Sequence, residues 1–214
     1  MTAEFRAFRA RVLTGAMLVW LAQTGAVGQT ATSQGNGAGT PFALRLAAAA
    51  RTQTMGVTVY DGAYVKIPYP MGDVAAGAGV CTDVIVRAYR MLGIDLQQAI
   101  HDAGAGSGDA NIDHRRVEVQ RRYFARFGTL LPVTAEGKDY RAGDLVSTVL
   151  PDGRTHIAIV SDKVAHNGTP LVIHNRGLNV QEEDWLFAWK ITGHYRYPPD
   201  SSQLSSDGGV GEPE

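Results

Sequence analysis

The hydrophobic period changes along this chain, and the change limits the folds open to it. Up to Phe127 the apolar residues recur at helical spacing, whereas from Asp144 onward they form short runs and alternations bounded by turns. Strands joined by tight turns run antiparallel, because parallel neighbours need a crossover between them. Helices gathered first and consecutive strands later therefore point to an α+β fold with an antiparallel sheet.

The local signals agree. Thr40-Pro41 offers a capping hydroxyl and then a proline at the first helical position, starting a helix through residues 42–50 that stops near Gly56. Residues 57–60 and 64–70 are extended, with prolines that bar a central strand. Glycines open the next helix, which carries Cys81, Val84, Ile85, Ala88 and Leu92 on one face and ends at Gly93. Asp95 caps a short helix through Ile100. Residues 114–127 form another, with Asp113 as its cap and Val117, Tyr123, Phe124 and Phe127 available for burial. Strands follow over 144–150, 155–161, 170–175 and 186–197, with turns at Pro151-Asp152-Gly153 and His166-Asn167-Gly168. In the last strand Trp189, Ile191, Gly193, Tyr195 and Tyr197 share one parity.

The chain ends bear on compartment. Arg6, Arg9 and Arg11 precede an apolar stretch over 12–27, and Ala26-Val27-Gly28 supplies the small residues a signal peptidase needs. Residues 1–28 read as a signal peptide, with an uncleaved anchor as the alternative, so the protein is expected in the periplasm or secreted. Residues 29–40 read as a flexible linker and 199–214 as a solvated, disordered tail, leaving 41–198 for one domain. Losing 1–28 removes three Arg and one Glu and leaves 17 basic and 20 acidic residues. That balance carries no electrostatic footprint for nucleic acid. No second apolar run is long enough to span a membrane, so no stable membrane insertion is expected after signal cleavage. Paired CxxC and HExxH signatures are absent, and Asp109, Asp113 and His114 fit no standard ligand spacing; neither metal nor cofactor is expected.

Cys81 is the one cysteine in the sequence. A lone thiol in an oxidising compartment has no disulfide partner, so it is either a small buried hydrophobe or kept for its reactivity. At a helix N-terminus the dipole favours the thiolate. A cysteine nucleophile needs a base within hydrogen-bond reach and a group that orients the base. Of the six histidines, His156 opens a strand and His174 closes the next. Antiparallel neighbours set the start of one beside the end of the other, so these two are expected to meet.

Gly143-Asp144-Leu145-Val146, His156-Ile157-Ala158-Ile159-Val160 and Ile173-His174, following a helix-borne cysteine, resemble the NlpC-type cell-wall endopeptidases of the papain-like superfamily. Gly79-Val80-Cys81-Thr82-Asp83-Val84, Asn111-Ile112-Asp113-His114-Arg115-Arg116 and Gly193-His194-Tyr195-Arg196-Tyr197 are more similar still to a secreted bacterial family, domain of unknown function 1287, over residues 43–197. The resemblance implies a papain-like amidase domain over 41–198, its nucleophile helix packed on the sheet. It makes Cys81 the nucleophile, His156 the base and His174 the orienting third member, with Asn175 the fallback for that third role. The endopeptidases carry Asp immediately before the nucleophile, but Val80 stands there, and Asp83 is the remaining candidate to hold a substrate amine or an active-site loop. Tyr64 is the candidate for the substrate-binding tyrosine upstream of the cysteine, and Arg115 a candidate clamp for a substrate carboxylate. The implied activity is a secreted cysteine amide hydrolase that forms a thioester acyl-enzyme. Its implied partner is a peptidoglycan stem peptide or another peptide-like amide. An acyl or amide transferase with the same triad and a non-catalytic wall-binding module are the alternatives.

Overall fold

A computed structural model describes residues 39–198. The expected signal peptide, all but the last two residues of the linker, and the tail lie outside the described residues. Helix α1 (Pro41–Thr52) starts as its sequence requires: Thr40 Oγ1 accepts the Ala43 N–H at 3.2 Å and proline occupies the first turn. Strand β1 (Val59–Tyr60) pairs in parallel with β2 (Ala78–Gly79), and α2 (Cys81–Met91) follows directly. In α3 (Leu96–Asp102) the Asp95 carboxylate accepts the Gln97 N–H at 3.0 Å. After α4 (Val117–Phe127) come β3 (Thr129–Leu131), β4 (Leu145–Val149), β5 (Thr155–Val164), β6 (Pro170–Asn175), β7 (Val180–Glu183) and β8 (Lys190–Arg196). The six form one antiparallel sheet in the order β3-β8-β4-β5-β6-β7. The fold class is the expected α+β, with helices packed on an antiparallel sheet.

Both faces of the sheet are covered. Leu145, Ile157, Ile159, Ile173 and Tyr195 meet Leu46, Ile85, Tyr89 and Phe124 of the helices. Val146, Ala158, Val160 and Val172 turn the other way, under Tyr140, Trp185 and Leu186. This two-sided burial is why the central strands read as apolar runs rather than alternations. Each fully buried Ile or Leu contributes roughly 1.5–3 kcal/mol over its exposed state.

Several elements depart from the sequence reading. Asp113–Arg115 is a separate 3-10 turn, and α4 begins only at Val117, with no side-chain cap. Asp113 is no helix cap; it is buried and accepts from Ser107 Oγ at 2.9 Å and from the Gly108 and Asp109 N–H groups at 2.8 and 3.0 Å. Strands β3 and β7 were not foreseen, since one is three residues long and the other is the polar stretch Val-Gln-Glu-Glu. The last strand begins at Lys190, and a register shift opposite Ser147 and Thr148 breaks its parity. Ile191 thus packs in the second layer while Tyr195 joins the helix layer.

The Gly143-Asp144 pair ties the sheet at its centre. Gly143 has φ +81, and a Cβ there would lie 2.7 Å from the Ala43 Cα and carbonyl oxygen, so only glycine lets β4 start this close to α1. Asp144 is fully buried and accepts from the Arg141 N–H at 2.9 Å, His194 Nε2 at 2.8 Å, and Arg196 Nε and Nη2 at 2.7 and 3.0 Å. Asp144→Ala removes the buried carboxylate shared by His194 and Arg196 and is expected to cost about 3–5 kcal/mol. Urea unfolding measures this; a loss below about 1 kcal/mol, the scale of an exposed ion pair, contradicts the account.

Candidate active site

Cys81 is the first residue of α2, and its turn is built from below. Asp83 Oδ2 accepts the Val80 N–H at 2.7 Å, closing the start of the helix. The same carboxylate forms a fork with Arg115 Nε and Nη2 at 2.8 and 3.0 Å, inside the protein. Arg115 also donates to the Ala63 and Asp61 carbonyls, both at 3.1 Å. Neither group is free for a ligand. Of the two roles read for Asp83, a substrate amine or a loop, the hydrogen bonds show a loop: with Arg115, whose guanidinium is thereby engaged, it joins the cysteine turn to the loop at 61–63.

Tyr64 is exposed, and its hydroxyl accepts from Asn111 Nδ2 at 3.2 Å. Tyr60, held on β1 beside β2, places its hydroxyl against the Cys81 sulfur instead. The backbone at Ile157 and Thr82 also lies near that sulfur and favours its charged form. Cys81 is buried, but its immediate neighbours include polar groups rather than aliphatic groups alone.

The two histidines meet as the turn between their strands requires. His156 Nε2 and His174 Nδ1 lie 2.7 Å apart, both rings buried. The rings share one small cavity with Thr148, Trp185, Leu186 and Trp189. His174 Nε2 lies 3.0 Å from Glu183 Oε1, and its ring centroid is 5.2 Å from that of Trp185. Asn175 does not compete for the third position, because its Nδ2 donates to the Gly79 carbonyl at 3.2 Å and its Oδ1 accepts the Gly177 N–H at 3.1 Å. It anchors the end of β6 to the backbone just before Cys81. The structure thus joins His156 to His174 directly, while the Cys81 sulfur belongs to the helix-side core near the backbone of Ile157 and makes no hydrogen bond to either ring, whose faces point to the other side of the sheet.

Burial sets the charges. It pushes the Cys81 thiol from 9.0 up to about 11, outweighing the backbone at Ile157 and Thr82 and the Tyr60 hydroxyl. A helix dipole contributes about 0.3–1 kcal/mol. The difference between 9.0 and about 11 corresponds to about 2.7 kcal/mol, so desolvation outweighs the dipole and the sulfur rests as a thiol. Burial also pushes His156 down to about 3, helped by His174, Arg176 and Arg154, and His174 down to about 4, helped by Arg176. All three groups rest uncharged at neutral pH.

Glu183 and the position of Tyr60 were not legible in the sequence. Glu183 sits beside Glu182 in a stretch without apolar period, and only the pairing of Val172 with Glu183 and His174 with Gln181 brings it to the ring. Asp109, Asp113 and His114 do not converge; among the described residues no group of three or more His, Cys, Asp or Glu side chains is placed to hold a metal ion. Among the same residues no helix is long and apolar enough to cross a membrane.

The molecule is an α+β domain with a buried thiol at a helix start and a hydrogen-bonded histidine pair on the sheet. A family described as Domain of unknown function (DUF1287) matches residues 47–197. The uncharacterized protein YijF of Escherichia coli (strain K12) is 45% identical over 166 residues, covering 72% of this chain and 81% of its own length. The chain belongs to the DUF1287 family. Two solved structures, NlpC2 and NlpC1 from Trichomonas vaginalis, align over 74% of this chain with 19% identity and TM-scores of 0.44 and 0.45. The chain spans 47% and 45% of their respective lengths.

Two outcomes follow from the charge states. Alkylation of Cys81 by iodoacetamide is expected to be slow at pH 7 and to climb toward pH 11; a rate already at its plateau at pH 6 indicates a preformed ion pair and contradicts the neutral site. The histidines titrate near 3 and 4 when folded but near 6.5 when unfolded, so the unfolded state binds more protons in between. Stability is present above about pH 6.5 and is lost as pH falls through that window, by up to about 1.4 kcal/mol per pH unit for each ring. Urea midpoints at pH 7 and pH 5 measure this, and a His156→Gln, His174→Gln double variant as acid-sensitive as the parent contradicts it.

Proposed function

We propose that this protein is an exported cysteine amide hydrolase that cleaves peptidoglycan stem peptides, with Cys81 as nucleophile, His156 as base and His174 as the orienting member. The observation that carries the reading is the 2.7 Å contact between His156 and His174, with His156 on the strand whose next residue, Ile157, packs in one core with Cys81. The order of cysteine helix, Gly-Asp strand and two strand-borne histidines supports it by its resemblance to papain-like cell-wall endopeptidases.

The chemistry would run as general-base catalysis from a neutral pair. Substrate displaces the Tyr60 hydroxyl from the sulfur. The thiol proton would pass by way of a water around the end of β5 to His156 Nδ1, the ring nitrogen not engaged by His174, because sulfur and ring belong to opposite sheet faces. Sulfur attacks the amide carbonyl carbon, and the Cys81 N–H at the helix start steadies the oxyanion. The imidazolium returns its proton to the leaving amine, giving the thioester. Water, activated by the same ring, then releases the acid and restores the thiol. A transferase differs only in the amine that replaces this water.

One observation favours a second reading. The thiol is buried and protonated at rest, as in a wall-binding module that does no chemistry. Digestion of purified peptidoglycan, followed by mass analysis of the released fragments, separates the two. Cys81→Ala and His156→Ala are each expected to lower release by about 10³-fold or more. Equal release by Cys81→Ala overturns the mechanism, and binding of the wall without any release by the parent protein supports the module.

A further inference from the structure

We infer that Glu183 is a positioning residue that sets the tautomers of both histidines and so decides whether Nδ1 of His156 carries a lone pair or a proton. A carboxylate oxygen only accepts, and a neutral imidazole carries one N–H. His174 Nε2 lies 3.0 Å from Glu183 Oε1, so Nε2 carries the proton of His174 and its Nδ1 is bare. His156 Nε2, 2.7 Å from that bare nitrogen, must then be the donor. With its one proton on Nε2, neutral His156 holds an open lone pair on Nδ1. The reverse order is equally good for the two rings alone: His174 Nδ1–H donates to His156 Nε2, and Nδ1 of His156 carries the proton. In that state His156 has nothing with which to take a proton from sulfur. Among the groups hydrogen-bonded to the pair, Glu183 is the one that distinguishes the two orders.

The carboxylate is itself held. Glu183 pairs with Val172 across β6 and β7, while His174 pairs with Gln181, so Glu183 and His174 are diagonal neighbours on one face. Arg176 Nε stands 3.8 Å from the same Oε1, and the Arg176 guanidinium lies 3.5 Å over Trp185. Glu182 does not duplicate the role, because it is engaged with Arg51, Ser161 and Lys163. The proton count closes: the thiol proton moves to His156 Nδ1, both Nε2–H bonds stay in place, and the charge on Glu183 faces the new imidazolium across His174. No proton leaves the three residues until His156 gives one to the leaving amine. The catalytic consequence rests on the hydrolase reading above; the tautomer assignment does not.

Long-range proton–nitrogen NMR of histidine-labelled protein at pH 7 reads both tautomers, with His156→Gln and His174→Gln assigning the signals. The wild type is expected to show Nε2–H on both rings. Glu183→Gln keeps the shape, but its amide both donates and accepts, so it is expected to put an Nδ1–H population on His156; Glu183→Ala serves as a second variant, with a thermal melt confirming that each is folded. An Nδ1–H tautomer on His174 of the wild type, or unchanged tautomers in the folded variants, overturns the inference. With stem-peptide substrate, Glu183→Gln is expected to lower kcat by about 10- to 100-fold at unchanged KM. If the tautomers respond as stated while the wild type cleaves nothing, the hydrolase reading fails and the tautomer assignment stands.

Discussion

The buried fork between Asp83 and Arg115 is the contact on which the helical half depends. Separated by more than thirty positions in the chain, the two side chains bring together the first turn of α2, the loop at 61–63 and the turn before α4. A buried ion pair is a weak source of net stability, because desolvation offsets most of its attraction. Its effect here is geometric. The carboxylate that fixes the Val80 N–H is the one that fixes Arg115, so the placement of Cys81 and of the chain around it is set by one group.

The sheet supplies the other half of the site by register alone. A turn joins β5 and β6, and that arrangement brings the start of one strand to the end of the next. The two histidines belong to the same face because His156 has the parity of Ala158 and His174 that of Val172. Asn175, one residue on, has the opposite parity and ties β6 to Gly79. A single step along the strand thus separates a ring partner from a backbone anchor.

This division explains what the sequence discloses and what it hides. The Thr40 and Asp95 caps, the helix ending at Gly93 and the meeting of His156 with His174 depend on neighbours in the chain or on one tight turn, and they are legible. The Asp83 partner, the Tyr60 contact and Glu183 depend on how distant segments stack, and no local period records them. The ionisation of Cys81 follows the same division. The helix dipole is a local property, whereas the larger desolvation term belongs to the finished core.

The Arg176, Trp185 and His174 stack has a use outside chemistry. The indole lies between a permanent cation at 3.5 Å and an imidazole whose centroid is 5.2 Å away. A second positive charge arriving on that imidazole changes the field across the indole. Emission from Trp185 and from Trp189, whose ring lies 3.8 Å from it, therefore gauges, from within the folded protein and without any attached dye, the electrical condition of that imidazole.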